Sequence, residues 1–531
     1  MVKITSLDDT NQDAYDALLS GAYDEGGIGA SVPPSESESD AQDWSDDSGA
    51  HSDSDAPRIT GDNGAVVLLS QAHNRCDEDS DDGSDSDISL PDLPELEFEA
   101  SSLQLEPPNF ASFDDGIPVP DPQDFLECLE NLAGFEAAEI SVTYIKTAEL
   151  KASRWSDPYK VSLSKKVDGS DLIDFQDSEK VYFIKFAPRE GYHHGVEMLR
   201  GEFASMTTID HLKQGFCPRP LAYGYIAGDT PEDLLPSSWL GSNTDLYGTD
   251  AYFICEYVDI ECRLGDKDGM GGIPDGDVRK NAIMKEFCKS LVDLHTREPP
   301  IPVTKFGFKV KTYNGLVFQS VLDRSLCWSS FFGNNLKDLV VGSLKIVKFQ
   351  LQAAKELSAN TEELIKQTTD AWKQLVTLGV IQKLLGNLKD PKGNPIKPSL
   401  IHGDLWCGNT ALLKTQDGDN GEPKTVIFDA CCFYGHNEYE LGNWLPKRNN
   451  LNKYIETYLK AYGGRCQPAE EFDRRLQLYS IKFNLNAAIL FPKEEQYLKM
   501  VIQDMNELSN WAKDKKSQRT SEANMLLGIR N

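Results

Sequence analysis

The chain has 531 residues and a formal net charge of −32, which is distributed unevenly. Residues 1–100 contain 26 acidic residues against three basic ones, so the remaining 431 carry a net charge of only −9. Such an acidic chain argues against nucleic acid as a ligand, because negative charge repels the phosphate backbone. The length favours two or more folded parts.

The sequence carries no signal for secretion or for a membrane. Its 11 cysteines show no C-x-x-C pairs and stand in apolar segments, which favours reduced thiols over a disulfide framework. The first residues lack the basic and apolar blocks of a signal peptide, and no run approaches the ~18 apolar residues of a membrane span. We therefore expect a soluble protein of the cytoplasm, with the nucleus as the open alternative.

Residues 1–125 are predicted to be a disordered acidic arm. Runs such as residues 35–40 and 80–87 combine serine with acidic residues and cannot bury enough apolar surface to offset chain entropy. Two roles stay open for the arm: a solvated tail, or a regulatory segment that contacts basic proteins. Its serines are candidate phosphorylation sites, because phosphate would add to the charge already present.

Residues 126–259 are predicted to form a strand-rich lobe that begins with a short helix near Phe125. Alternation of apolar and polar residues predicts five strands, at residues 140–145, 159–163, 181–186, 221–225 and 251–257. Between the third and the fourth strand, apolar residues recur at helical spacing from Val196 to Met206. We expect a sheet with one helix packed behind it.

This lobe contains a candidate lysine–glutamate pair for binding phosphates. In kinases, a lysine on the third strand binds the α- and β-phosphates of ATP, and a glutamate from the next helix orients it. Lys185 and Glu202 occupy these two positions in the sequence. Each of them alone is equally compatible with an ordinary solvated side chain, so their assignment depends on the motifs that follow.

Two further segments are candidates for nucleotide binding. Glu256, Tyr257 and Val258 close the last strand, where two lobes would hinge, and their backbone is predicted to bind the adenine edge. An ordinary strand end is the alternative. The turn between the first two strands has no glycine, so Ser153 and the amides after it are predicted to contact the phosphates, with help from Arg154.

Residues 260–515 are predicted to form a mainly helical lobe, followed by a tail at 516–531. Apolar stripes at helical spacing predict helices within residues 284–294, 343–385, 470–490 and 495–511. With the strand-rich part before it, this pattern predicts an α+β fold of two lobes, as in protein kinases and aminoglycoside phosphotransferases, with the catalytic loop between helices.

The catalytic motif lies within the helical lobe. Asp404, Asn409 and Asp429 follow the order of the H-x-D-L-x-x-x-N and D-F-G motifs of kinases, with Gly403 where those motifs have arginine. We predict that Asp404 accepts the proton of the attacking hydroxyl. Asn409 and Asp429 are predicted to hold Mg²⁺ against the phosphates of ATP.

Four residues near this motif have alternative interpretations. Trp406 either stacks on a sugar-like substrate or packs within the protein, and His402 is predicted to brace the loop rather than to shuttle protons. His436 and Glu438 resemble a metal cluster in composition, although zinc is improbable there. They are predicted either to contact the substrate or to fix the helix that follows.

Several motifs together resemble the fructosamine kinase (ketosamine-3-kinase) family, and within it the fungal branch. The resemblance extends from about residue 139 to 511. The motifs that carry it are at residues 402–406, 428–430, 434–440, 153–155, 182–185, 201–203, 305–308 and 328–332. The resemblance implies transfer of phosphate from ATP to the 3-hydroxyl of a ketosamine, such as fructosamine or ribulosamine on lysine. The phosphorylated adduct then becomes labile, and the amine is recovered.

Two other functions stay open from the residues alone. The protein could be a kinase for another small hydroxylated molecule, such as an aminoglycoside or choline. It could also be an inactive kinase-like scaffold whose acidic arm recruits partners. The second alternative is disfavoured because no predicted metal ligand is missing: Asn409 and Asp429 are both present.

Overall fold

A computed structural model describes residues 115–146, 156–166, 180–187, 195–228, 230–236, 250–265, 273, 277–414 and 421–526. For residues 232, 250 and 516–526 it describes the backbone alone. Ser153 and Arg154 lie outside the described residues, as does most of the predicted acidic arm.

The described part contains both strands and helices. The strands are β1 (Gln123–Asp124), β2 (Ile140–Ile145), β3 (Asp157–Lys165), β4 (Lys180–Ala187), β5 (Pro220–Ile226), β6 (Asp250–Glu256), β7 (Ile260–Arg263), β8 (Thr312–Asn314), β9 (Val317–Gln319), β10 (Ser399–Ile401), β11 (Thr410–Leu413), β12 (Thr425–Ile427) and β13 (Phe433–Gly435). The helices are α1 (Phe125–Ala133), α2 (Gly195–Leu212), α3 (Val278–Thr296), α4 (Trp328–Ala353), α5 (Ala359–Thr377), α6 (Val380–Leu385), α7 (Glu438–Trp444), α8 (Ile455–Tyr462), α9 (Phe472–Leu490) and α10 (Gln496–Leu526).

The first lobe is a sheet between two helices. Its described strands follow the order β1-β5-β6-β4-β3-β2, and they are antiparallel except for the pair β1–β5. Successive side chains of a strand point to opposite faces. Accordingly, Tyr252 packs on Phe125 of α1 with ring centroids 4.9 Å apart, whereas Phe253 packs on Phe203 of α2 at 6.4 Å. The sheet therefore buries both faces and holds α2 in a fixed position.

The second lobe is built around α9, which packs against α4, α7 and α10. Aromatic rings fill the space between these helices: Tyr479 lies 5.1 Å from Phe332 and 5.7 Å from Tyr439, measured between ring centroids. Two small sheets, β7-β11-β12 and β10-β13, lie beside them. None of the described helices is long and apolar enough to cross a bilayer.

The predicted two-lobed α+β architecture is confirmed, but several details were wrong. The predicted catalytic loop connects β10 to β11 and thus lies between strands. Helices were predicted within residues 343–385, and α4, α5 and α6 lie there, but α4 begins earlier, at Trp328. Helix α10 extends to Leu526, into the range that was predicted to be a tail.

The folded part also begins earlier than residue 125. Asp115 is 2% exposed, and its Oδ1 lies 2.7 Å from Lys309 Nζ and accepts a hydrogen bond of 3.0 Å from Ile117 N. The hydroxyl of Tyr434 donates to its Oδ2 at 3.2 Å. Sequence analysis missed this contact because Asp115 stands in an acidic stretch without apolar periodicity.

We predict that deletion of residues 1–114 leaves the melting temperature unchanged, whereas Asp115→Ala lowers the free energy of unfolding by about 3 kcal/mol. The reason is that removal of one partner leaves the other buried charge without compensation. Chemical denaturation of both variants, with the exposed Asp121→Ala as the control, measures the difference. Equal stability of Asp115→Ala and Asp121→Ala would show that the Asp115 contacts are unimportant.

Candidate active site

The centre of the site is the ammonium group of Lys185 on β4, in a residue that is 4% exposed. Its Nζ lies 2.7 Å from Oε1 of Glu202 on α2 and also contacts Oδ1 of Asp429. Three segments that are distant in the sequence therefore meet at one positive charge. The predicted pairing of Lys185 with Glu202 is present in the structure, and Asp429 joins it.

The charges of this group determine its protonation. Burial lowers the pKa of Lys185, but Asp429 and Glu202 more than offset this effect, and the pKa lies above its ordinary value. Burial raises the pKa of Asp429, but the charge of Lys185 outweighs burial and leaves the pKa below its usual range. For Glu202, burial prevails over Lys185 and raises the pKa to about 7. Lys185 thus stays a cation.

Asp429 reaches Lys185 through an unusual backbone conformation. It lies two residues after the end of β12 and has a φ of 58°, in the left-handed region that residues other than glycine adopt infrequently. Such conformations persist where the surrounding structure imposes them, and they cluster at functional sites. The strand end and this turn together direct the carboxylate of Asp429 into the site.

Helix α2 is held in place by the β8–β9 hairpin (residues 312–319) and the residue before it. The hydroxyl of Tyr313 donates to Glu197 Oε2 at 2.7 Å, and Lys311 Nζ lies 2.9 Å from Glu197 Oε1. Gly201 allows the close approach, since a Cβ there would lie 2.4 Å from the carbonyl oxygen of Lys311. The second lobe therefore positions the helix that carries Glu202.

The loop between β10 and β11 is fixed by hydrogen bonds around Asp404. Asn409 Nδ2 donates to the backbone oxygen of Asp404 at 2.9 Å, and Asn443 Nδ2 donates to its Oδ1 at 3.3 Å. His402 accepts from the amide of Asp404 at 3.3 Å, and its other ring nitrogen lies 2.9 Å from the oxygen of Phe428. Burial lowers the pKa of His402 to about 4, so it is neutral and braces the loop.

Glu440 of α7 also holds the loop between β10 and β11 in place. Its two carboxylate oxygens accept hydrogen bonds from the amides of His402 and Gly403, at 2.8 and 3.0 Å. Gly403 has a φ of +86°, and a Cβ there would lie 2.3 Å from the oxygen of Cys431. A glycine therefore stands where kinases with the H-R-D motif have arginine. Burial raises the pKa of Glu440 to about 7.

Arg263 on β7 fixes the other end of the loop. Its Nη1 donates to the oxygen of Gly408 at 2.7 Å, and its guanidinium lies 4.5 Å from the ring centroid of Phe428. Phe428 is the residue directly before Asp429. Arg263 thus connects the loop of Asp404 to the turn of Asp429, which fixes the positions of the two carboxylates relative to each other.

Two cavities meet at the Lys185 group. One, of about 60 Å³, is lined by the predicted hinge residues Glu256, Tyr257 and Val258 together with apolar side chains such as Phe183. The other, of about 120 Å³, is lined by Asp404, Trp406, Asn409, Tyr313 and Gly315 among others. Lys185, Glu202 and Asp429 line both cavities.

The second cavity has a donor set that suits Mg²⁺. Asn409 uses its amide nitrogen toward Asp404, which leaves its Oδ1 for another partner. Asp429 adds a carboxylate on the same cavity wall. Carboxylate and amide oxygens are the protein ligands that Mg²⁺ prefers. The residues present therefore fit the predicted metal.

His436 and Glu438 lie elsewhere, and they do not line either cavity. Both are almost fully buried; Glu438 binds the guanidinium of Arg475 at 2.6 and 3.1 Å, and His436 Nδ1 lies 2.9 Å from Tyr479 OH. His436, Glu438 and Cys466 could offer ligand atoms within 4.8 Å of one another, but Arg475 places a positive charge there. These contacts support the structural alternative and not substrate contact.

The sequence is similar to a known protein family. A family model described as fructosamine kinase matches residues 144–510. The chain belongs to the fructosamine kinase family. Among its relatives in this family, a mouse ketosamine-3-kinase is 30% identical over 184 residues, which is 35% of this chain and 48% of the mouse protein. A chloroplastic protein-ribulosamine 3-kinase from japonica rice is 36% identical over 114 residues, or 21% of this chain and 29% of the rice protein.

The matched segments span about half, or less, of the length of these two relatives. Among solved structures, a protein from Haemophilus somnus assigned as a fructosamine-3-kinase aligns with 72% of this chain and 96% of its own. That alignment has 16% identity and a TM-score of 0.45. An ADP-bound aminoglycoside phosphotransferase aligns with 15% identity and a TM-score of 0.36, over 72% of this chain and 97% of its own.

In this member of the fructosamine kinase family, sequence analysis missed several residues whose contacts hold the site residues in position. Arg263 and Asn443 stand in no motif that we used, and only their contacts reveal their roles. Glu440 ends a recognised motif, and its position after an apolar segment could have suggested a buried carboxylate. The contact of Tyr313 with Glu197 joins residues 116 positions apart, and no local pattern signals it.

We predict that Gly201→Ala weakens binding of magnesium–ATP at least about tenfold, because α2 must move to relieve the contact with Lys311. Displacement of a positioning group by about 1 Å can change such interactions by ~10²-fold. Isothermal titration calorimetry gives the affinity, and Thr207→Ala on the same helix is the control. Unchanged affinity in Gly201→Ala would show that α2 position does not limit nucleotide binding.

Proposed function

We propose that this protein is an ATP-dependent kinase that transfers phosphate to the 3-hydroxyl of ketosamines. The observation that carries this proposal is the cavity of about 120 Å³, where Asp404, Asn409, Asp429 and Lys185 meet. A base, two oxygen ligands and a cation on one cavity wall are the parts that phosphoryl transfer requires.

Each residue of the site has a separate proposed role. Lys185 binds the phosphates of ATP, and Glu202 holds its ammonium group in place. Glu256, Tyr257 and Val258 line the cavity for adenine. Asn409 and Asp429 would hold Mg²⁺, which, when bound, neutralises charge on the phosphate oxygens. Ser153 stays a predicted phosphate contact.

Asp404 is the proposed general base. Burial raises its pKa to about 6, while Lys482 and the amides of Asn314 and Asn443 oppose this shift. A base with this pKa is ionised at neutral pH and remains strong enough to accept a hydroxyl proton. Because Asn443 and Asn409 hold the carboxylate and its backbone, Asp404 needs little reorganisation during the reaction.

The acceptor follows from the family and from the shape of the site. The mouse and rice relatives are named for ketosamine and protein-ribulosamine substrates. Trp406 is half-buried and lines the cavity beside Asp404, where its indole offers a face for a sugar ring. The finer predictions, that the acidic arm contacts basic proteins and that the protein is cytoplasmic, rest on the sequence.

A substrate panel tests the proposal. The full-length protein with magnesium–ATP is given fructosamine and ribulosamine adducts of simple amines, beside an aminoglycoside and choline, and phosphate transfer is followed by mass spectrometry. We expect phosphorylation of the ketosamines on the 3-hydroxyl. Selective phosphorylation of the aminoglycoside or of choline would overturn the assignment of the acceptor.

We predict that Asp404→Asn lowers kcat by about 10²–10⁴-fold, which is the usual contribution of a general base. Binding of ATP should change little, because the amide keeps the size of the carboxylate. Steady-state kinetics and calorimetry measure the two effects, with the exposed Asp473→Asn as the control. Retention of more than about a tenth of the wild-type kcat would contradict the assigned role.

Variants of the two predicted metal ligands are expected to change how activity depends on Mg²⁺ concentration. Asp429→Ala should abolish turnover at every Mg²⁺ concentration, and Asn409→Ala should shift the activity curve to higher Mg²⁺, because one oxygen ligand is lost in each. The measurement is kcat as a function of Mg²⁺ at saturating substrates. If both variants kept the wild-type curve, the metal would have to bind elsewhere.

A further inference from the structure

A third and larger cavity, which the proposed phosphoryl transfer does not use, lies in the second lobe. It has a volume of about 470 Å³, within the range of small-molecule sites. We name it the carrier cavity. Its apolar wall consists of aromatic rings from α4, β13 and α7: Trp328, Phe331, Phe332, Phe433 and Tyr439. Lys337, Asp338 and Lys345 of α4 also border it.

One end of the carrier cavity is polar. Lys482 and Asn486 stand one helical turn apart on α9, so they share a face of that helix, and both line the cavity with Gln319 of β9. Lys482 Nζ donates to Gln319 Oε1 at 3.0 Å, which leaves two of its three protons available. Within the described part of the chain, no carboxylate lies within 4.0 Å of this Nζ.

Asn486 provides a second unsatisfied group. Its Nδ2 donates to Asn314 Oδ1 at 2.6 Å and to the backbone oxygen of Asn314 at 3.2 Å, so the orientation of the amide is determined. The side chain is 4% exposed, and its Oδ1 has no hydrogen-bond partner among the described residues. Asn486 therefore holds Asn314 at the polar end of the cavity, while its own Oδ1 is enclosed by the protein.

The polar end adjoins the catalytic loop. Asn314, which holds Asn486, also acts electrostatically on Asp404, and so does Lys482. The β8–β9 hairpin lies between the two spaces: Tyr313 and Gly315 face the cavity of Asp404, whereas Val317, Phe318 and Gln319 face the carrier cavity. The polar end of the carrier cavity therefore lies close to Asp404, on the other side of this hairpin.

We propose that the carrier cavity binds the amine-bearing part of the ketosamine, and that it selects a free α-amino acid with an apolar side chain. This inference rests on the proposed function. In such an adduct the carboxylate and the side chain leave the same carbon atom, which also bears the amine. The carboxylate pairs with Lys482, and the side chain packs against the aromatic wall.

The chemistry of the cavity favours this carrier over a lysine side chain of a protein. Asp404 and Glu440 act on Lys482 electrostatically but form no direct ion pair with it, and a ligand carboxylate in the cavity supplies such a pair. An adduct on the ε-amine of lysine has four methylene groups beside its amine and no carboxylate there, so it provides no direct partner for Lys482. Aromatic rings favour an apolar group at the other end.

Three adducts of one sugar test the proposal: those of leucine, of 3-methylbutylamine, which is leucine without its carboxylate, and of glycine, which lacks the side chain. For the wild-type protein we expect kcat/KM for the leucine adduct to exceed that for each of the others by about tenfold or more. The 3-methylbutylamine adduct loses a charge-assisted hydrogen bond, and the glycine adduct loses the burial of an apolar side chain, and each loss has at least about this effect. Ratios within one protein cancel general losses of activity.

Variants assign the preference to residues. Lys482→Met should bring the ratio of kcat/KM for the leucine adduct to that for the 3-methylbutylamine adduct close to one. Val341→Phe, which fills the cavity from α4, should bring the ratio of kcat/KM for the leucine adduct to that for the glycine adduct close to one. Lys499→Met, an exposed lysine of α10, should keep both wild-type ratios. Equal use of the three adducts by the wild type, or unchanged ratios in Lys482→Met, would overturn the proposal.

Failure of the two proposals can be distinguished. If the wild-type protein phosphorylates none of the three adducts and no other ketosamine, the proposed function fails, and the carrier assignment fails with it. Equal kcat/KM for all three adducts overturns the carrier assignment alone and leaves the ketosamine kinase intact.

Discussion

The site depends on one buried ammonium group between two carboxylates. Lys185 contacts Glu202 and Asp429, and these residues come from the sheet, from α2 and from the turn after β12. Removal of one partner from a buried ionic group typically costs about 3–5 kcal/mol, because the remaining charge has lost its compensation. The position of each element is therefore constrained by the other two.

The β8–β9 hairpin links helix α2, which bears Glu202, to helix α9 of the second lobe. On one side, Tyr313 binds Glu197 of α2, and the chain at Lys311 packs on Gly201. On the other side, Asn314 is held by Asn486 of α9. The helix of the first lobe and the helical core of the second are thus joined through a few residues of this hairpin.

The predicted site residues that the structure brings together belong to local motifs. Asp404 and Asn409 are five positions apart, and Asp429 follows an apolar strand, so their chemistry is visible in short segments. The supports of these residues could not be predicted in this way. Arg263 lies 145 positions from the oxygen it binds on Gly408, and Glu440 lies 38 positions from His402; only the fold brings them together.

The composition of a motif left two roles open for one pair of residues. His436 and Glu438 have the side chains expected of a substrate or metal site, and they lie close to Asp429 in the sequence. Their contacts favour the structural role, because Arg475 binds the carboxylate of Glu438 and Tyr479 binds His436. Side-chain type alone does not reveal which polar residues face a cavity.

The carrier cavity is separate from the cavity lined by Glu256, Tyr257 and Val258, which has a consequence for inhibition. Compounds confined to the aromatic space between α4 and α9 would meet none of the residues that line the hinge, since the two sets of lining residues do not overlap. Under the proposed function, such compounds would not have to displace ATP. The aromatic space is thus a route to selectivity among kinases that share the arrangement of Lys185, Glu202 and Asp429.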